Sequence, residues 1–178
     1  MLNSVSLERL KGIELAVEFN AVVIASAAGE GDLPTTVEGR LVNMEKLMPK
    51  LCDAGLKFSD VHIDPLVLPI ATDGNNGKLF LDAVSATRGK YGKEIHIVAG
   101  LSNVSYGMPN RKLITQVFTR LAVEAGADGG IVDPLQINLD VLNSMNFQSE
   151  PFKLAKALLL GEDEFGMNFI EASREGRI

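Results

Sequence analysis

The sequence predicts an α/β protein built on a parallel sheet, and three observations carry that prediction. Short β-forming runs alternate along the chain with segments of helical periodicity, in units of about 35 residues. Two strand-like runs, "VHIDPL" from Val61 and "GIVDPL" from Gly130, end on the same Asp-Pro-Leu and lie two units apart. The chain also opens inside a strand, Leu2 to Val5, with no lead-in. Five such units in 178 residues suit a complete open sheet or the last five units of an eight-unit barrel, whose usual length is about 250 residues. The abrupt opening strand favours the barrel. The expectation is therefore a (β/α)8 TIM-barrel type of fold with about five of its eight βα units present. Residues 1–178 would form one domain, a partial barrel lacking the first three units.

The elements follow in order. After the strand Leu2 to Val5, a helix is expected from about Ser6, a plausible N-cap, to Phe19, with Leu7, Leu10, Ile13 and Val17 inward. Strand two is Ala21 to Ala25. Helix two runs from about Thr36 to Ala54, and Gly55 is a natural stop. Strand three is Val61 to Asp64, followed by a polar loop whose "GNNG" reads as punctuation. Helix three spans Lys78 to Tyr91, and strand four Glu94 to Ala99. The fourth helix covers about Asn110 to Ala125, with Leu113, Ile114, Val117, Phe118 and Leu121 on one face. A turn, "GADGG", leads to strand five at Gly130 to Val132. The rest reads as helices broken around "NFQSEP" and at Gly161.

Composition narrows the function. A hydrophobic content of 46% supports a good core, and a net charge of -6 argues against a nucleic-acid or anionic-membrane surface. No apolar run approaches the roughly 20 residues needed to span a bilayer. A cytoplasmic protein with neither a membrane nor a nucleic-acid partner is expected. The lone Cys52 reads as a small buried apolar residue. His62 and His96 fall in strands, as packing or satisfied polar residues, and no metal site is expected from so thin a supply of ligands.

The strand ends collect Asn3, Ser4, Ser26, Asp64, Ser102, Asn103 and Asp133. Ser-His-Asp chemistry lacks its base there, and no GxxxxGK[ST] phosphate loop occurs. Amides, hydroxyls and two acids instead suit a neutral, planar ligand rich in hydrogen-bonding groups. A carboxylate accepts two parallel N–H bonds from an amino-pyrimidinone edge, and an Asn offers both donor and acceptor to a ring nitrogen. A pterin meets that description. The alternative for Asp64, at least as natural from spacing alone, is to accept backbone N–H bonds in its own turn, as Asp before Pro commonly does. For Asp133 that structural role is the preferred one.

Three stretches, "LNSVS", "IDPLVLPI-TD" and "GLSNVSYGMPNR", resemble in order and separation the strand-end motifs of the pterin-binding methyltransferases that use methyltetrahydrofolate and pass its methyl group to a corrinoid protein. That family includes the pterin domain of cobalamin-dependent methionine synthase. The resemblance extends to the closing "EDEFGMNFIEASREG" and implies a (β/α)8 barrel with pterin at the carboxyl ends of its strands. It implies that Asp64, helped by Asn3, binds the amino-pyrimidinone edge. Asn103, as the catalytic residue, would hydrogen-bond the methyl-bearing nitrogen. Gly100 and Ser102 would border the ring, Ile131 would pack on it, and Arg111 would hold the loop or the ligand. Methyltetrahydrofolate is then the methyl donor, and cobalamin or another corrinoid on a partner protein the acceptor, reached by in-line displacement. A homodimer is the implied assembly. The family's first three βα units, one of which carries a further pterin-contacting aspartate, have no counterpart here.

Two other readings compete. Dihydropteroate synthases resemble this family in fold, but they place a serine-arginine and a lysine near the equivalent loops. Here the loop reads "GLSN", and no lysine follows Gly100 until Lys112. The second is a non-catalytic folate-binding or assembly subunit that keeps only part of the barrel.

Overall fold

The structure, a computed structural model, describes residues 1–178. Four strands, β1 (Leu2–Val5), β2 (Val23–Ser26), β3 (Val61–Asp64) and β4 (His96–Ile97), form one parallel sheet in the order β1-β2-β3-β4. Helices α1 (Lys11–Glu18), α2 (Val37–Asp53) and α3 (Asn76–Tyr91) connect them. Then come α4 (Arg111–Ala125), α5 (Leu139–Asn143), α6 (Glu150–Leu159) and α7 (Met167–Arg174). The chain forms two compact units: Met1–Leu66 with Asp82–Ala99 and Gly126–Gly129, and Val67–Leu81 with Gly100–Ala125 and Gly130–Ile178.

The first unit is the sheet with its covering helices. Register is set by pairing Val23 with Val61, Ala25 with Ile63 and Ser26 with Asp64, and by pairing His62 with His96. Alternation does the rest: Val61 and Ile63 point into the core, whereas His62 and Asp64 project from the opposite face, where they are half-buried. The core side packs Val5, Val23, Ala25, Val61 and Ile63 against Ile13 and Ala16 of α1 and Met44, Leu47 and Leu51 of α2. Thr36 caps α2 by accepting from the Gly39 N–H at 3.0 Å, and Gly55, at φ +95, lets the chain leave the helix, as its sequence position suggests.

The second unit packs helices. α4 buries Ile114, Val117, Phe118 and Leu121, and α6 buries Phe152, Ala155, Leu158 and Leu159. Phe80 packs on Phe118 with the rings tilted and their centroids 5.2 Å apart. Ser149 and Asn138 cap α6 and α5. Asp163, buried before α7, accepts from the N–H groups of Asn168 and Phe169 at 3.0 and 2.9 Å. A Cβ at Gly77 would overlap the Leu159 carbonyl, so α3 and the end of α6 meet backbone to backbone. Far from being punctuation, "GNNG" contains Asn76, which is buried and donates to the Pro69 carbonyl at 2.9 Å.

Several expectations are corrected. Gly130 to Val132 is not a strand: the sheet has four strands, not five. The N–H groups of Asp128 and Gly129 both donate to the one Ile97 carbonyl, at 3.2 and 3.1 Å, so the chain crosses the end of the ladder instead of running along it. Strand four is two residues long because the Gly100–Ser105 stretch turns away, which leaves little edge to extend. Helix one begins at Lys11, not at Ser6, because Ser6–Arg9 closes a separate turn through the Arg9 N–H and the Ser6 carbonyl. Cys52 is exposed, on the solvent side of α2 between the buried Leu51 and the helix end.

Because the Gly77–Leu159 approach is between backbones, Gly77→Ala is expected to destabilise by about 1–3 kcal/mol. Gly74→Ala, where an added Cβ meets nothing within 4 Å, is the matched comparison. Equal thermal midpoints for the two variants would show that the contact is not a tight one.

Candidate functional site

The carboxyl end of the sheet presents Asn3 on β1, Ser26 on β2 and Asp64 on β3, all in the first unit. Asn3 is exposed. Ser26 is buried, and its hydroxyl accepts from the Ala28 N–H at 3.3 Å. Asp64 performs the turn role open to it in the sequence and keeps its second oxygen unengaged. One oxygen accepts the Leu66 N–H at 2.9 Å, the turn bond that Asp-Pro favours, while the other has no donor within the protein. The turn places Leu66 at φ +70, a left-handed conformation uncommon for a bulky residue and of the kind stored at functional sites. Burial pushes the Asp64 carboxyl up to about 6, against the Leu66 N–H and the charge of Arg40, which both pull it down.

Arg40 is the residue that sequence reading missed. It belongs to the buried stripe of α2 with Met44, Leu47 and Leu51, and its side chain is 1% exposed. Nε donates to the Pro34 carbonyl at 3.4 Å, while Nη1 and Nη2 have no hydrogen-bond partner. An arginine in phase with a buried apolar stripe was the available signal.

On the face that carries Asp64, His62 stacks on His96 with centroids 4.5 Å apart. The Nδ1 atom of His96 lies 3.0 Å from an Asp128 oxygen, and the Ile97 N–H donates to the other at 2.7 Å. Both histidines thus serve packing and local pairing.

In the second unit the expected residues gather on one loop. Leu101–Ser105 forms a short 3-10 turn, with Leu101, Val104 and Ser105 buried and Ser102 and Asn103 exposed. The Ser105 hydroxyl donates to the Ser102 carbonyl at 3.1 Å and meets the Thr115 hydroxyl at 2.9 Å. Arg111 donates from Nη2 to the Ser102 carbonyl at 3.1 Å and from Nε to the Ser105 hydroxyl at 3.2 Å. Of the two roles expected for Arg111, holding the loop is the one its bonds perform. The side-chain amide of Asn103 has no hydrogen bond within the protein and lies over Gly100, where a Cβ would come 3.3 Å from Nδ2. A cavity of about 200 Å³ opens beside the loop, lined by Ser102, Arg111, Asp133 and Gln136.

Ile131 sits in irregular chain and is 48% exposed. Asp133 takes the structural role: it accepts the Leu135 N–H at 3.0 Å and the Gln136 side-chain amide at 2.6 Å. The Asp-Pro-Leu echo is therefore a repeated turn, with one difference. Only the first copy carries a left-handed leucine and a carboxylate oxygen without a protein donor.

The family model described as pterin binding enzyme matches residues 1–133. The methylcorrinoid:tetrahydrofolate methyltransferase of Eubacterium limosum is 29% identical over 156 residues, covering 88% of this chain and 54% of that protein. The methionine synthase of Mycobacterium leprae (strain TN) is 30% identical over 135 residues, 72% of this chain and 11% of that protein. The chain thus spans about half the length of the first of these relatives and a small part of the second.

Arg111→Ala removes two donors from the loop. Amide exchange at Tyr106 and Met108, whose N–H groups bond within it, is expected to quicken by at least about tenfold, with Ile97 unaffected. Unchanged exchange at both would mean that buried Val104 and Ser105 hold the loop without it.

Proposed function

The chain belongs to the pterin binding enzymes, and from that premise we propose that it takes part in methyl transfer between tetrahydrofolate and a corrinoid carried by a partner protein, with methyltetrahydrofolate as the donor. The observation that carries this reading is the pair of side-chain groups left without protein partners on otherwise fully bonded turns: one Asp64 oxygen and the Asn103 amide. Buried polar groups are ordinarily satisfied, and an oxygen held half-buried and free is suited to a ligand.

Asp64 accepts the two parallel N–H bonds of the amino-pyrimidinone edge, for which it must be ionised. Its fixed turn supplies the orientation, and Asn3, exposed on β1, adds an amide to the same end of the sheet. Asn103 addresses the methyl-bearing ring nitrogen. A neutral tertiary amine is a poor leaving group, so charge or a proton must develop there, and an amide that presents either donor or acceptor stabilises that nitrogen in both states. Gly100 leaves room for the amide above it, Ser102 borders the ring and Ile131 offers an apolar contact. The corrinoid supplies the metal that exchanges the methyl group, and this chain contributes binding, orientation and electrostatics. The name of the Eubacterium limosum relative gives methylcorrinoid and tetrahydrofolate as its pair. The same pterin contacts serve either direction of transfer.

The test is calorimetric titration of the chain with methyltetrahydrofolate. Asp64→Ala is expected to weaken binding by at least about tenfold, since hydrogen bonds to a charged group contribute about 1.5–3 kcal/mol, and Asn103→Ala, which removes a bond between neutral groups of about 0.5–1.5 kcal/mol, by about two- to tenfold. Unaltered affinity in both variants would sink the reading.

The pH dependence has a definite sign. Asp64, raised from 3.8 to about 6, is protonated below that value and gives up an acceptor. Affinity should therefore rise as pH passes upward through about 6 and level off above it, and the rise should vanish in Asp64→Ala. The unliganded protein should show the opposite trend. A raised carboxyl contributes stability that is full below 3.8 and lost as pH climbs through about 6.

A further inference from the structure

We propose that Ser26 is a further ligand-contacting residue, its hydroxyl donating to the ring carbonyl that follows the two N–H groups of the pterin edge. The inference rests on the pterin-binding reading of Asp64 and deepens it, from two groups of that edge to all three.

The placement comes from the ladder of the first unit. β2 and β3 pair in register from Val23 opposite Val61 to Ser26 opposite Asp64. Partners in register project from the same face, and neighbouring strands lie about 4.8 Å apart. Val23, Ala25, Val61 and Ile63 belong to the core, so Ile24 and Ser26 share the opposite face with His62 and Asp64. The Ala27 N–H donates to the Asp64 carbonyl at 2.9 Å, which holds the two strand ends together one residue beyond the pair. On the other flank, the Val98 N–H donates to the Ile63 carbonyl at 2.9 Å, and Val98 brings only an apolar side chain. Asn3 stands lower, level with Ile24. Ser26 is therefore the polar side chain that the ladder sets beside Asp64.

Its hydrogen bonds leave one capacity open. Ser26 is 8% exposed. Its oxygen accepts the Ala28 N–H at 3.3 Å, which ties it to its own turn, and its hydrogen has no acceptor within the protein. Asp64 is the complement: one oxygen accepts the Leu66 N–H and the other has no donor. An unused donor and an unused acceptor thus stand side by side, yet no hydrogen bond joins them. Each turn keeps its own side chain. Buried polar groups are ordinarily satisfied, so a pair held open in this way suits a third party.

An amino-pyrimidinone edge presents two N–H donors and then a carbonyl acceptor, in a row. A carboxylate takes the two donors. It can give nothing to the carbonyl, because an ionised carboxylate only accepts. A donor is needed one place along, and a serine hydroxyl on the adjacent strand, about 4.8 Å away, supplies it. Without that donor the carbonyl would shed its water and gain nothing in return.

The decisive readout is the stretching frequency of that carbonyl, taken from infrared difference spectra of the whole chain with methyltetrahydrofolate isotope-labelled at the ring carbonyl. A donated hydrogen bond lowers the frequency. Ser26→Ala is expected to raise it, and to weaken binding by about two- to tenfold, as loss of a bond between neutral groups does. An unmoved frequency would overturn the proposal even if affinity fell, since a purely structural serine changes binding without touching the carbonyl. Should Ser26→Ala fail to fold, Ser26→Cys, similar in size and a weak donor, is expected to shift the band in the same direction. An unmoved band there would be equally fatal. Asp64→Ala, titrated alongside, separates this inference from the reading beneath it. Loss of affinity in Asp64→Ala with an unmoved carbonyl in the Ser26 variants defeats the Ser26 contact alone. Unaltered affinity in Asp64→Ala removes the pterin edge from this end of the sheet, and the Ser26 contact with it.

Discussion

The Asp64 carboxylate sits where several demands meet: it ends β3, turns the chain and stays half out of water. Pro65 compels the strand to leave in an extended conformation, and the Leu66 N–H closes back on one carboxylate oxygen. That single bond sets the side chain's orientation and commits Leu66 to a left-handed backbone. It also frees the second oxygen to face away from the turn. Strand pairing brings Ser26 level with Asp64, and the bond from Ala27 to its carbonyl carries the ladder one residue further. The placement of the loop after β2, and of the start of α2, follows from that pairing.

The Asn103 loop obeys a related logic with different parts. Its buried members, Val104 and Ser105, supply the packing, and Arg111 and Thr115 from α4 satisfy its internal oxygens. The loop is thus held by a helix that begins just after it in sequence. Rigidity and availability come from different residues: those that bond inward fix the backbone, and the one amide that bonds to nothing is displayed. Tyr106, exposed beside Arg111 at 5.9 Å, belongs to the outer side of the same turn.

What was legible in the sequence was what period and turn chemistry encode locally. Strand three, Val61 to Asp64, was read to the residue because alternation, a following Pro and a terminal Asp all agree there. Helix two was readable from its Thr36 cap and Gly55 stop. The fifth strand failed because Gly130 to Val132 has the composition of a strand but not its partner. Pairing is a property of the neighbouring edge, and β4 offers only two residues of it. Cys52 failed for a simpler reason: a helical pattern places a small residue on either side of the buried boundary with equal ease. Arg40 was missed because a charged residue inside an apolar stripe reads as the stripe's edge. Only tertiary packing shows that it lies inside.

The influences on Asp64 also explain why such a residue would tolerate so unfavourable a setting. A carboxylate in water binds a hydrogen-bonding edge weakly, because the solvent it must shed competes for the same oxygens; partial burial removes that competition. Burial alone would carry the group towards its neutral form, in which it cannot accept both N–H bonds. The Leu66 N–H, and after it the charge of Arg40, work against that drift. Burial outweighs the opposing contributions, and the carboxyl comes to rest at about 6, so it is mostly ionised at neutral pH. Under the proposed pterin reading, what buries Asp64 and closes its turn matters to the ligand as much as the oxygens that would touch it.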